Sequence, residues 1–138
     1  MSESRLRGLV VGLSLAGAGI ATYLTVAHLA HVQVACVSGG CETVQTSRYS
    51  ELGGIPVAAL GLAGYAVLAA SGVLRGELSR AFGFAAALGG LAFAGYLLYI
   101  QAAVLDAYCQ WCLASDAILA LLVPVTLLRV VRAGPPDG

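Results

Sequence analysis

Four cysteines, Cys36, Cys41, Cys109 and Cys112, are the residues of this chain whose type and spacing could carry chemistry. They form two pairs, Cys36-Val37-Ser38-Gly39-Gly40-Cys41 and Cys109-Gln110-Trp111-Cys112. A C-x-x-C at the start of a helix can close a disulfide within one turn. The helix dipole and the unused N–H groups there stabilise a thiolate at the first cysteine. The wider pair encloses Ser-Gly-Gly, flexible enough for its sulfurs to meet or part. Thiol–disulfide exchange between two such pairs needs only an attacking thiolate and a good leaving thiol. The same four residues could instead hold a tetrahedral zinc ion or form fixed structural disulfides. Spacing alone leaves these options open.

The elements that must position the cysteines follow from composition. The chain has 138 residues, 59% of them hydrophobic and 10% charged, with a mean hydropathy of +0.90. A soluble domain carries about 25% charged residues, so this chain cannot coat a water-facing surface. Disorder is excluded by the same apolar excess. Formal net charge is zero, so no basic surface for nucleic acid is indicated, and no nucleic-acid partner is expected. Apolar runs at about 8–27, 55–74, 81–104 and 109–129 each approach the ~20 residues that cross a bilayer as a helix. They are too long and continuous for barrel strands. The expected fold is an all-α membrane protein, a four-helix transmembrane bundle forming one integral-membrane domain over residues 1–138. Small residues in the runs, among them Gly17, Gly61 and Gly90, suit close helix packing in lipid. Pro56 suits the first turn of the second helix, and Pro124 is expected to kink the last one.

Orientation follows from arginine. All seven basic residues are Arg. Arg5, Arg7, Arg75, Arg80, Arg129 and Arg132 fall on one side of a four-span chain, and Arg48 alone on the other. The positive-inside rule puts both termini in the cytoplasm, with the cysteine-bearing loop of residues 28–54 outside the cytoplasmic (inner) membrane of a prokaryote. A cleaved signal peptide over the first run is disfavoured, because the run is long and no small-x-small site follows it. All four cysteines then lie at the outer face, where disulfides persist. That compartment favours redox chemistry over zinc, and no metal site is expected. Cys112 lies about one turn deeper than Cys109, which places Cys109 nearer water and Cys112 nearer lipid. The arrangement suits electron transfer from a water-phase thiol to a lipid-phase acceptor.

Other polar residues have narrower readings. Asp116 lies inside the last run, four residues after Cys112. An ionised carboxylate is costly in lipid, so Asp116 should face the bundle interior or be protonated. It either relays a proton near Cys112 or bonds a backbone carbonyl or neighbouring helix. Ser47 sits in the polar outer loop and suits capping or loop hydrogen bonding. Arg48 could pin that loop by pairing with Asp106, Glu42 or Glu51. His28 and His31 read as interfacial anchors. Tyr23, Tyr96 and Tyr99 either line a pocket or pack.

The order of these motifs resembles the vitamin K epoxide reductase family, bacterial branch, over nearly the whole chain. The matching pieces are Cys36-x4-Cys41, Ser47 six residues on, Gly54-Ile55-Pro56, and Cys109-x-x-Cys112 opening the last span. In the disulfide-forming B-type membrane proteins the C-x-x-C precedes the spaced pair; here the spaced pair comes first. The resemblance implies that a thioredoxin-like partner outside the membrane passes electrons to a Cys36–Cys41 disulfide, with Cys36 as the contact. Cys41 would then attack Cys109 of a Cys109–Cys112 disulfide. The mixed bridge frees Cys112 to reduce a quinone, menaquinone or ubiquinone, at the mouth of the bundle. Ser47 matches a family position near the quinone. Many animal members carry Tyr where this chain has Asp116, so the quinone contact there differs. The chain stops at 138 without a fused thioredoxin-like domain, so the partner is expected to be separate. The implied function is quinone-dependent thiol oxidation that supports disulfide formation in exported proteins. The rival is a non-enzymatic membrane module whose cysteines hold zinc or a structural disulfide.

Overall fold

The computed structural model describes residues 3–30, 32, 51–106 and 108–132. Cys36, Cys41, Ser47, Arg48 and His31 lie outside the described residues, and so do the readings that rest on them. The elements are α1 (Glu3–Ala30), a two-stranded hairpin of β1 (Glu51–Leu52) and β2 (Ile55–Pro56), α2 (Val57–Val73), α3 (Glu77–Tyr99), a π-helical turn (Ile100–Leu105), and α4 (Gln110–Arg132). Each helix outruns or trims its apolar run by a few residues. α1 begins at Glu3, because a helix end can run on into polar residues that water or headgroups solvate. α2 begins later than expected, because Ile55 and Pro56 are taken by β2. Pro56 is therefore the residue before the first turn rather than within it. Pro124 lies inside an α4 that continues to Arg132.

The hairpin is dictated by two glycines. Glu51 pairs with Pro56 and Leu52 with Ile55, antiparallel, leaving Gly53 and Gly54 as a two-residue turn. Their φ angles are 63° and 87°. A tight hairpin of this kind needs positive φ at both central positions, which glycine adopts without a steric penalty.

The four helices form a ring. α1 packs on α2 and α4, and α3 packs on the same two helices. Val10, Ala21, Tyr65, Leu68, Ala87 and Leu122 make the buried core. Leu15, Val26, Leu78, Phe82 and Leu121 face outward, as apolar side chains do where the surroundings are lipid. α1, α3 with its π turn, and α4 are each long and apolar enough to cross a membrane; α2 is a shorter apolar helix. The chain folds as a four-helix membrane bundle.

At 1.5 Å per residue, α2 with its 17 residues spans about 25 Å, less than the ~30 Å hydrocarbon core. Its last carbonyls lack intrahelical partners, and in a membrane such groups must be satisfied by protein. Side chains from the other three helices supply the donors. Arg129 of α4 donates from Nη1 to Ser71 O at 3.0 Å. Arg7 of α1 donates to Gly72 O at 2.9 Å and Val73 O at 2.7 Å. Ser79 of α3 donates to Ser71 O at 2.7 Å. Arg129 is 1% exposed, and its Nε also meets Glu3 at 3.1 Å. Arginines that read from sequence as orientation signals thus also cap a short helix.

Candidate functional site

The π turn and the start of α4 place Cys109. Asp106, with φ 48° and ψ 41°, ends the π turn, and its N–H bonds Gln101 O. A left-handed residue at such a stop is usually glycine; aspartate is among the few others that tolerate it. The chain then turns back so that Cys109 precedes α4 directly. Its carbonyl accepts the helix bond from Leu113 N–H at 3.0 Å. Its own N–H donates to Gln101 Oε1 at 2.9 Å. Cys109 therefore occupies the N-cap of α4, where the positive end of the helix dipole favours a thiolate.

Cys109 is fully buried. It sits within the protein, its N–H held by the Gln101 side chain. Cys112, one turn on, is half-buried and lines a cavity of about 210 Å³ between the four helices. Apolar cavities of roughly 150 Å³ admit benzene, so this one has room for a larger flat ring. Its walls are apolar, with Leu24 from α1, Leu60 from α2 and Phe93 from α3. Polar side chains reach it from Tyr65, Gln101, Cys112, Ser115 and Asp116.

Three of those belong to one face of α4. Cys112, Ser115, Asp116 and Leu119 recur at i, i+3, i+4 and i+7, the spacing that lines one side of a helix. Asp116 faces the interior, as its cost in lipid demands. Its Oδ2 is buried and has no hydrogen-bond partner among the described residues. Ser115 Oγ meets the Tyr65 hydroxyl at 2.6 Å, and Tyr65 also donates to Ser115 O at 3.1 Å. The Tyr65 ring lies against Gly17 of α1 so closely that a Cβ there would collide with it.

The rim of the bundle at the C-x-x-C end is tied by side chains. Trp111, between the two cysteines, meets Tyr23 of α1 edge to face, with ring centroids 5.1 Å apart and planes at 61°. His28 Nε2 and Glu51 Oε2 lie 2.8 Å apart, joining the end of α1 to β1. Glu51, one candidate for Arg48, is thus engaged by His28. Tyr96 stacks on Phe93 with centroids 6.1 Å apart, and Tyr99 is exposed. Neither they nor Tyr23 line the cavity; Tyr65 does. Sequence reasoning assigned no role to Tyr65, Ser115 or Gln101. The available signals were the α4 face for Ser115 and the isolation of Gln101 in an otherwise apolar run.

The arrangement places a thiol at the wall of an apolar cavity, with its mate behind it and a carboxyl one turn deeper. Comparison with known proteins agrees with this chemistry. The model of the vitamin K epoxide reductase family matches residues 9–127, which take in the hairpin, the cavity walls and both cysteines of the C-x-x-C. The chain belongs to the vitamin K epoxide reductase family, whose members are membrane oxidoreductases.

Proposed function

We propose that this protein is a quinone-dependent thiol oxidoreductase of the cytoplasmic membrane, with both termini in the cytoplasm and the cysteines at the outer face. A thioredoxin-like dithiol outside the membrane reduces the Cys36–Cys41 disulfide and becomes a disulfide itself. Cys41 then attacks Cys109 of the Cys109–Cys112 disulfide. A mixed Cys41–Cys109 bridge forms and Cys112 leaves as a thiolate. Cys36 resolves the bridge, which restores Cys36–Cys41 and leaves Cys109 and Cys112 reduced. That pair closes to a disulfide and delivers two electrons and two protons to a quinone, menaquinone or ubiquinone, which becomes the quinol. The net effect is disulfide formation in exported proteins.

The observation that carries this reading is the placement of Cys112. It lines the apolar cavity beside Ser115 and Asp116, while Cys109 sits buried at the N-cap of the same helix. A quinone ring is flat and apolar with carbonyl oxygens at its edges, and it suits a cavity with apolar walls and a few polar side chains. Asp116, four residues from Cys112, carries a proton between thiol and quinone oxygen. Ser47 contributes from the outer loop.

The test is an anaerobic thiol count on the fully reduced, metal-free protein in detergent. Adding menaquinone or ubiquinone should remove four thiols for every two quinones turned to quinol. Cys112→Ala should stop quinol formation. Four thiols that persist with both quinones would overturn the reading and point to a zinc or structural role for the cysteines.

A further inference from the structure

Gln101 is 2% exposed and stands where the π turn meets the cavity. Its Oε1 accepts from the Cys109 N–H at 2.9 Å. An N–H requires an acceptor, so this contact settles which end of the amide is oxygen and which is nitrogen. The Nε2 end carries two N–H donors, and among the described residues none accepts from it. Gln101 lines the cavity, so an acceptor placed there can meet these donors. Of the other polar groups at the cavity, the Tyr65 and Ser115 hydroxyls are engaged with each other. An ionised Asp116 offers only acceptors. An oxidised quinone is the complement of the Gln101 amide: it has carbonyl acceptors and no donor.

Resting on the redox reading above, the geometry points to Gln101 as a two-sided quinone-site residue. Its Oε1 holds the backbone of Cys109, and its Nε2 donates to one carbonyl oxygen of the quinone. One rigid amide therefore joins the buried cysteine to the acceptor that its pair reduces. Negative charge grows on the quinone oxygens as the two electrons arrive, and a donor already aimed at one of them stabilises that charge without rearrangement. The π turn explains why a residue eight positions before Cys109 can do this. Wide turns of this kind recur at functional sites because they re-aim side chains.

Two variants separate the two contacts. Gln101→Met removes both donor and acceptor at similar length. Gln101→Glu keeps an acceptor for Cys109, and it keeps a donor only while its carboxyl is protonated. Quinone affinity is read from quenching of Trp111, the single tryptophan of the chain, apart from turnover. Gln101→Met should weaken quinone binding about tenfold, the worth of one buried hydrogen bond. Gln101→Glu should bind nearly as the wild type at low pH and lose affinity as pH rises. Among the described residues, Tyr65, Cys112 and Asp116 are the titratable groups that line the cavity, Cys109 is held by Gln101 beside it, and α1 contributes the apolar Ile20, Ala21 and Leu24. These groups are the same in variant and wild type, so the difference between the two pH profiles isolates position 101. A purely structural glutamine would lower thermal stability or kcat without that pH-dependent affinity. Wild-type quinone affinity in Gln101→Met, with turnover still abolished by Cys112→Ala, would overturn the Gln101 assignment and leave the redox reading standing. Undiminished turnover in Cys112→Ala would overturn both.

Discussion

The Tyr65 hydroxyl of α2 lies 2.6 Å from Ser115 Oγ of α4, while its ring rests on Gly17 of α1. One side chain thus joins three helices at the wall of the cavity that Cys112 lines. Removing the hydroxyl in Tyr65→Phe should cost about 0.5–1.5 kcal/mol. Gly17→Ala should cost more, about 1–3 kcal/mol, because the new methyl overlaps the ring. Combining Gly17→Ala with Tyr65→Leu should recover part of that loss. Thermal unfolding in detergent measures all of these, and equal effects for the single and combined variants would show that the contact carries no stability.

Cys109 and Cys112 should respond differently to alkylation. Cys112 is half-buried at the cavity wall, whereas Cys109 is fully buried. In the fully reduced protein a small apolar maleimide should label Cys112 first, and prior addition of quinone should slow that labelling. Mass spectrometry of the digested protein reads the site. Faster labelling of Cys109, with no protection by quinone, would contradict the placement of the acceptor.

Asp116 has a cavity-facing carboxyl whose Oδ2 no described residue holds. Asp116→Asn preserves shape and polarity but cannot carry a proton. Quinone affinity should change little, and turnover should fall by about 10²-fold, a typical share for a positioned proton carrier. The pH profile of kcat should lose the limb on which the wild-type carboxyl exchanges its proton. Unchanged kcat and an unchanged profile would remove Asp116 from the chemistry.

Arg129 should matter far more than its place near the end of the chain suggests. Its buried guanidinium bonds both Ser71 O and Glu3. Arg129→Leu should destabilise the bundle by about 2 kcal/mol or more, since hydrogen bonds from charged groups contribute about 1.5–3 kcal/mol. Arg75 is exposed, and Arg75→Gln should stay within about 0.5 kcal/mol of wild type. If both arginines served orientation alone, the two variants would melt together.

Much of the architecture was legible because the membrane leaves few choices. A run such as 109–129 must satisfy its backbone within itself in lipid, so length and apolarity were enough to read it as a helix. The α4 face was legible too, since Cys112, Ser115 and Asp116 follow the helical repeat from a start marked by Cys109. Gly53-Gly54 declared a tight turn by residue type. Helix ends were read less well, because polar ends such as Glu3–Arg7 and Glu77–Arg80 carry no apolar signal although they are helical.

Local pattern could not give the rotation of each helix about its own axis. A helix that is apolar all round, as these nearly are, has no polar face to show which side turns inward. Tyr65 and Tyr96 look alike in sequence, yet one reaches Ser115 and the other stacks on Phe93 at the surface. The contact between Gln101 and Cys109 depends on a π turn and a left-handed Asp106, neither of which has a sequence period. Arg129 reads as a topology signal, and only the shortness of α2 beside it turns that side chain inward as a cap. Bilayer physics acting along the chain thus made four helices and a cysteine pair at one helix start. Packing across the chain, where donors from one helix meet acceptors stranded on another, decided which of the remaining side chains surround the cavity.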